Sequence, residues 1–184
     1  MTWAGIADRD GYEAAVWSGP LTFLESIAYC LPRALSWLST CDVIVDYGCG
    51  IGRMTGPIAS ALPDSTVVGI DPEPAMIGEA RRRHPDVQFT TDTNMPVRST
   101  DAVFSMLVLQ HLPHVEQVEL VGRWVKALRP RGRVLAQVAI GVDDVPLSRQ
   151  WQETDLHTLF AGLDVTVIAR DDLFPTWRWV YACL

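Results

Sequence analysis

The sequence lacks several features that would place it in a specialised class of protein. None of its apolar runs approaches the roughly 18 residues that a transmembrane helix needs, and its first ten residues lack the basic and apolar pattern of a secretory signal. It has no internal repeat and no low-complexity linker. We therefore expect a globular protein of the cytoplasm that does not enter a membrane.

Basic residues and paired cysteines are also scarce. Fifteen Lys and Arg residues against 22 Asp and Glu give a formal net charge of −7. A non-specific nucleic-acid binder needs a basic surface that displaces counterions, so this balance disfavours nucleic acid as a partner. The four cysteines form no CxxC pair and have no metal-ligand spacing. This pattern predicts reduced thiols and no metal site.

Length and composition fit one globular domain. The chain has 184 residues, of which 48% are hydrophobic and 20% charged. A chain of this size buries about 70% of its unfolded surface, which is enough for a core. We therefore predict a single domain over residues 1–184, with a core at 41–184 and an N-terminal arm and helix at 1–40 that form a lid.

From residue 42 onward, apolar β-branched runs alternate with segments of helical spacing. The predicted strands are 43–45, 66–70, 87–90, 102–109 and 134–140. The predicted helices are 52–62, a helix that begins at Asp71-Pro72, 115–128 and 151–160. This alternation predicts βαβ units and a doubly wound parallel sheet, and the continuously apolar strands fit a sheet that is covered on both faces.

Both ends of the chain depart from this alternation. Strands at 164–169 and 176–183 are separated by only six residues. A parallel crossover needs a dozen or more residues, so these two strands must pair antiparallel. Near the other end, 21–38 has helical spacing with an expected interruption at Pro32, and residues 1–20 are predicted to be an arm that packs on the domain.

The most informative segment is a glycine loop that follows the first strand. Gly48, Gly50 and Gly52 have the spacing GxGxG, directly after the acidic Asp46. Glycines there let the backbone approach a ligand and adopt positive φ, and the next helix offers unpaired N–H groups. The third glycine is one residue early for the dinucleotide fingerprint GxGxxG. A tight strand-to-helix turn and a loop-bracing role for Asp46 remain alternatives.

Two further acids end the next strands. Asp71 follows the second strand and can accept bonds from both hydroxyls of a ribose, or it can cap a helix with Pro72 at the first helical position. Asp92 follows the third strand, where the edge of a base can lie, or it is a plain turn residue. Ligands of doubly wound sheets bind outside the carboxyl ends of the strands, which favours the ligand roles.

Taken in order, these segments resemble a class I S-adenosylmethionine (SAM)-dependent methyltransferase, most closely the small bacterial group called methyltransferase type 11. The resemblance covers about residues 40–184. It rests on DYGCGIGR at 46–53, GIDPEPAMIGEAR at 69–81, TD at 91–92, DAVFSMLVLQHL at 101–112 and LRPRGRVL at 128–135. It implies a Rossmann-like seven-stranded sheet of order 3-2-1-4-5-7-6 with the last strand antiparallel.

The resemblance also implies a set of SAM-binding residues. Asp46 and the glycine loop would hold the methionine part, Asp71 the ribose hydroxyls and Asp92 the adenine amino group. The other positions implied are Gly48, Cys49, Gly50, Gly52, Pro72, Met76, Thr93 and Met106. Met106 to Gln110 would line the side nearest the transferred methyl group.

Residues for the methyl acceptor are less defined by the sequence. Tyr12 and Trp17 in the arm are candidates for the substrate side, with a role as core anchors as the alternative. Gln110 and Arg149 are further candidates. His111 is the candidate general base, since an unperturbed histidine titrates near neutrality, and a loop or helix-cap histidine is the alternative.

These observations predict an enzyme that transfers a methyl group from SAM to an O, N or C nucleophile of a small molecule by in-line displacement. The segment after the fourth strand lacks the [DN]PP[FY] signature of methyltransferases that act on adenine or glutamine nitrogen. A non-catalytic cofactor-binding or scaffold protein of the same fold is the alternative, and a nicotinamide-dependent oxidoreductase is a weaker one. The sequence does not indicate the oligomeric state.

Overall fold

The computed structural model describes residues 3–17, 19–141 and 151–184. The strands are β1 (Val43–Tyr47), β2 (Thr66–Ile70), β3 (Gln88–Thr90), β4 (Thr100–Met106), β5 (Leu128–Ala139), β6 (Asp164–Arg170) and β7 (Trp177–Cys183). The α-helices are α1 (Trp3–Asp10), α2 (Tyr12–Val16), α3 (Phe23–Leu38), α4 (Thr55–Ala61), α5 (Pro74–Arg83), α6 (His114–Ala127) and α7 (Leu156–Leu159). Short 3-10 turns lie at Leu109–His111 and Glu153–Asp155.

The seven strands follow the order β3-β2-β1-β4-β5-β7-β6. β1 and β3 pair parallel with β2, and β4 pairs parallel with β5. β7 pairs antiparallel with both β5 and β6. The predicted strand order and the antiparallel last strand are therefore confirmed.

The chain divides into two compact units, Met1–Asn94 and Met95–Leu184. In the first unit, β1 and β2 are in register to their ends, because Asp46 lies opposite Gly69 and Tyr47 opposite Ile70. The loop that follows β1 and the acid that follows β2 therefore begin at the same edge of the sheet. The prediction of a single domain with a lid at 1–40 stays a prediction.

In the second unit, α6 buries one of its four valines. The buried residues of α6 are Gln117, Leu120, Val121, Trp124 and Ala127. Val115 and Val118 are 65% and 39% exposed, whereas Trp124, the largest residue of the helix, is fully buried.

Several predicted bounds shift in the structure. α4 begins at Thr55, three residues later than predicted, because the glycine loop takes up the intervening residues. β5 begins at Leu128 rather than 134, since Leu128 already pairs with Thr100. The predicted helix at 151–160 is reduced to a 3-10 turn and the four residues of α7.

The third helix continues through its proline. Pro32 lies inside α3, so the predicted interruption is wrong. A capping box formed by Thr22 and Glu25 fixes the start of this helix. Its buried stripe consists of small side chains and one leucine at a spacing of four: Ser26, Cys30, Ala34 and Leu38. Leu24, one of the apolar residues at helical spacing in 21–38, is 74% exposed.

Candidate functional site

β1 leads directly into the glycine loop at 48–52. Gly48, Gly50 and Gly52 have φ values of 75°, 53° and 78°, a region of backbone conformation that L side chains rarely adopt. The N–H groups of Gly48 and Cys49 both donate to the carbonyl of Ile70, at 2.7 and 3.0 Å. The last residue of β2 therefore anchors the loop, and the spacing GxGxG corresponds to a real backbone requirement.

Asp46 is a buried acid at the end of β1. Its side chain is 3% exposed, and its Oδ2 accepts a hydrogen bond of 2.6 Å from Thr55 Oγ1 at the start of α4. Burial raises the pKa of Asp46 to about 6, although the Thr55 hydrogen bond and the positive charge of Arg53 lower it. Asp46 thus braces the loop against α4, as the sequence alternative proposed. Its contact with a cofactor stays a prediction.

Asp71 joins the glycine loop to the segment that precedes α5. Its Oδ2 accepts from the N–H of Gly50 and its Oδ1 from the N–H of Glu73, both at 2.9 Å. Burial raises the pKa of the Asp71 carboxyl, and these two backbone N–H groups lower it. A carboxylate offers about four acceptor positions, so two remain for a ligand.

The interpretation of Asp71 as a helix cap is wrong. α5 begins at Pro74, and its N-cap is Glu73, which makes no side-chain capping bond. The reason is the bond from Glu73 N–H to Asp71, which closes a turn over two residues and leaves Pro72 outside the helix. Pro72 is exposed, whereas Met76 on α5 is only 2% exposed.

Asp92 forms a turn after β3. Its Oδ1 accepts from the backbone N–H of Asn94 at 2.9 Å and from the Asn94 side chain at 2.8 Å. The residue is exposed, and Thr93 beside it is half-buried. The turn role expected from the sequence is present. The predicted contacts of Asp92 and Thr93 with adenine stay predictions.

The N-terminal helices lie against the glycine loop and α5. Ala7 of α1 and Ala15 of α2 form one buried cluster with Ile51 of the loop and Met76. Half-buried side chains from the same arm pack against this cluster, namely Ile6, Tyr12 and Val16. A Cβ added to Gly50 would lie 2.9 Å from Val16 Cγ1. The arm therefore covers two of the positions predicted to contact the cofactor.

Trp17 is held firmly in place. Its side chain is 9% exposed, and its Nε1 donates to the carbonyl of Leu21 at 2.7 Å. The guanidinium of Arg53, which follows the loop, lies 4.9 Å from the centre of the Trp17 ring. Arg53 is 7% exposed and donates to Ser26 Oγ at 3.1 Å, and burial lowers its pKa. Trp17 is thus a packed anchor, and its substrate role stays a prediction.

The candidates of the second unit follow the end of β4. Met106 is half-buried, and Leu107 after it has φ 54°. Leu107 donates from its N–H to the carbonyl of Gln137 at 2.8 Å and accepts from Gln110 Nε2 at 2.7 Å. Gln110 is 7% exposed, whereas His111 is exposed. A non-glycine residue in the left-handed region is uncommon and often marks a functional turn.

Sequence reasoning missed a buried acid in the β6–β7 connection. Asp171 is 1% exposed, and its Oδ2 accepts from Gln137 Nε2 at 3.0 Å and from Trp179 Nε1 at 2.8 Å. Its Oδ1 accepts from the N–H groups of Leu173 and Phe174, both at 3.0 Å. An aspartate at the start of a short connection was the available signal, because such residues often bond to the next backbone N–H groups.

Other missed residues are the partners of predicted ones. Thr55 lies nine positions after Asp46, and Val16 lies in an arm without a recognisable motif. Of the predicted candidates, Arg149 lies outside the described residues. Within the described ranges, no group of three or more His, Cys, Asp or Glu side chains is arranged to hold a metal ion. No helix in that part of the chain is long and apolar enough to cross a membrane.

Most of these residues lie in a segment that matches a known protein family. Residues 44–132 match the family model described as a methyltransferase domain. The match covers just under half of the chain. The glycine loop, Asp71, Asp92 and Gln110 all lie inside the methyltransferase domain. The resemblance to class I SAM-dependent methyltransferases is thereby confirmed.

Curated relatives carry the same kind of domain in longer chains. Trans-aconitate 2-methyltransferase from Escherichia coli (strain K12 / DH10B) is 36% identical over 104 residues, which are 55% of this chain and 40% of that protein. The protein of the same name from Methylobacterium nodulans is 34% identical over the same shares. The chain therefore spans less than half the length of these relatives.

Solved structures share the fold of the methyltransferase domain. A magnesium protoporphyrin IX methyltransferase from Synechocystis PCC 6803 with bound SAM has a TM-score of 0.71 at 19% identity, over 97% of this chain and 93% of that one. An S-adenosylmethionine dependent methyltransferase from Mesorhizobium loti has a TM-score of 0.69 at 16% identity, over 84% and 96%. At these identities the likeness concerns the fold.

Proposed function

We propose that this chain binds SAM and transfers its methyl group to an O, N or C nucleophile of a small molecule (EC 2.1.1.-). One observation carries the proposal. The carboxylate of Asp71 bridges Gly50 N–H and Glu73 N–H at 2.9 Å each, which joins the glycine loop to the turn after β2. Doubly wound sheets bind nucleotides outside the carboxyl ends of their strands, with a glycine-rich loop after the first strand and an acid that bonds the ribose.

The residues of the first unit fit SAM by their chemistry. The two remaining acceptor positions on Asp71 suit the two ribose hydroxyls, and the exposed Asp92 carboxylate suits the adenine amino group. Asp46 and the loop at 48–52 would hold the methionine part, Cys49 included. The pKa of the Cys49 thiol is raised by burial and by the nearby carboxylates, so this thiol stays protonated and contributes no nucleophile.

SAM supplies a methyl group that is already activated on a sulfonium. The protein then has to position the acceptor in line and exclude water, and proximity alone can lower the barrier by roughly 7–11 kcal/mol. We assign Met106 and Gln110 to the acceptor side, with Tyr12, Trp17 and Arg149 as further candidates there. The exposed His111 would act as general base where the acceptor must lose a proton. We also propose a cytoplasmic location and a small-molecule partner.

Titration calorimetry with SAM and S-adenosylhomocysteine (SAH) tests the proposal. We expect both to bind the wild-type chain, and absence of binding by folded protein at millimolar ligand would contradict it. Transfer of labelled methyl from SAM is then measured on a panel of small acceptors that starts with trans-aconitate, because the curated relatives carry that name. Binding without transfer to any acceptor would favour the alternative of a non-catalytic binding protein.

A further inference from the structure

The N-terminal arm, defined as α1 and α2, rests on the site through a small contact. Its buried residues are Ala7 in α1 and Ala15 in α2. Burial of a methyl or methylene group stabilises a contact by only about 0.8 kcal/mol. α2 has five residues, whereas an isolated helix needs roughly 12–15 to be even marginally stable. Ile6, Tyr12 and Val16 pack half-buried against the same cluster, so no large side chain of α1 or α2 is fully buried in this contact.

An ion pair ties the arm to α5. Arg83 Nη1 lies 2.9 Å from Glu13 Oε1 of α2, and Arg83 Nε lies 2.6 Å from Glu79 Oε1 on its own helix. The guanidinium also lies 5.6 Å from the centre of the Phe23 ring at the start of α3. Arg83 is 23% exposed and Glu79 is 8% exposed, so this side of the pair is fixed.

The other side of the pair is free to leave. The Glu13 side chain is 53% exposed and lies on the five-residue α2, which packs against α1 within the arm. Exposed ion pairs are screened by salt. The contact between Glu13 and Arg83 therefore has the properties of a latch: one rigid partner, one partner on a short helix, and access to solvent.

The latched arm covers two positions that the proposed function assigns to SAM. Val16 Cγ1 lies 2.9 Å from the place of a Cβ on Gly50, and Met76 is buried under Ala7 and Ala15. We propose that the Glu13–Arg83 ion pair is a latch on the N-terminal arm, and that its release gates the access of SAM to the glycine loop. This inference rests on the proposed function.

The gate predicts a kinetic effect of defined size. If the cofactor binds only when the arm has lifted, its association rate constant is proportional to the fraction of molecules with an open arm. The stabilising free energy of an exposed ion pair corresponds to about a 1.4- to fivefold change in the fraction of molecules with an open arm. Removing the pair should therefore raise the association rate constant by this factor, and reversing the charge should raise it further.

Stopped-flow measurement of SAH association tests the gate on the full chain. The variants are Glu13→Gln and Glu13→Lys, and the matched control is Asp8→Asn, which removes the same charge from an exposed position of α1. We expect SAH to associate faster with both Glu13 variants than with the wild type. Association with the Asp8→Asn control should be as fast as with the wild type. Added salt should speed association in the wild type but not in Glu13→Gln. Equal rate constants for Glu13→Gln, Asp8→Asn and the wild type would overturn the gate.

Amide hydrogen exchange in the absence of cofactor tests the latch independently of SAH binding. Amides of α2 should exchange about 1.4- to fivefold faster in Glu13→Gln than in Asp8→Asn, and added salt should have the same effect on the wild type. Unchanged exchange would show that no latch exists. If SAH bound to none of the variants, the proposed function and the gate would both fall, and the exchange result would still decide whether Glu13 holds the arm.

Discussion

Replacing Asp46 by asparagine should make the protein more stable at neutral pH. The pKa of the buried carboxyl is about 6 against an ordinary value of 3.8. Each tenfold change in proton affinity corresponds to about 1.4 kcal/mol, so ionisation of Asp46 destabilises the folded state by about 3 kcal/mol. Asn at this position is isosteric, stays neutral and can still accept the Thr55 hydrogen bond.

The sign of the pH dependence follows from the raised pKa. Below pH 3.8 the Asp46 carboxyl is protonated in both the folded and the unfolded state, and its stabilising contribution is fully present. As the pH rises from about 4 through 6, the unfolded state releases the proton first and that contribution is lost. The free energy of unfolding of Asp46→Asn minus that of the wild type should therefore increase by about 3 kcal/mol between pH 3 and pH 7.

Urea unfolding at a series of pH values measures this difference. Asp64→Asn is the matched control, since it removes the same charge from an exposed position in the turn before β2. Thr55→Val removes the donor that lowers the pKa of Asp46, so it should move the loss of stability to higher pH. A difference between Asp46→Asn and the wild type that does not change from pH 3 to 7 would refute the reasoning.

Three further substitutions test separate parts of the structure. Asp71→Ala should weaken SAH binding by about 1–3 kcal/mol in calorimetry, because bonds to a charged acceptor are the stronger kind, and unchanged affinity in the folded variant would remove Asp71 from the site. Gly50→Ala should lower the free energy of unfolding by at least about 1–2 kcal/mol, since φ is 53° and Val16 is in the way. The loss of stability that comes from the clash with Val16 should be smaller when Gly50→Ala is made in a Val16→Ala variant. An equal loss of stability with and without Val16→Ala would argue against the contact between residues 16 and 50. Asp171→Ala should cost about 3 kcal/mol or more in urea unfolding, as four donors lose their acceptor; a loss below 1 kcal/mol would mean that these donors find other partners.

Much of the sheet was predictable from the sequence because its signals are local. Strand-length apolar runs and the short connection at 170–175 predicted parallel strands and an antiparallel end, and the sheet has both. The position of Asp71 beside Gly50 also followed, since parallel strands end at the same edge. The resemblance to a family supplied the strand order, which no local pattern determines.

Other features depend on contacts between distant segments. The buried face of α6 includes Trp124 and only one of its valines, Val121, and the pairing of Glu13 with Arg83 joins segments 70 residues apart. Asp71 was open to two interpretations because capping a helix and accepting from ribose hydroxyls use the same carboxylate chemistry. The acceptor side was least predictable, since its candidates Gln110, His111 and Arg149 carry no spacing that identifies a substrate.

The most direct test of the proposed function is a nuclear magnetic resonance titration of the labelled chain with SAH. If the glycine loop binds the cofactor, the amide signals of residues 48–52, Asp71 and Asp92 should shift together and saturate with the affinity found by calorimetry. Signals of β6 should stay unchanged. Saturable binding that leaves the loop signals in place, or no binding at millimolar SAH, would contradict a SAM site at the glycine loop.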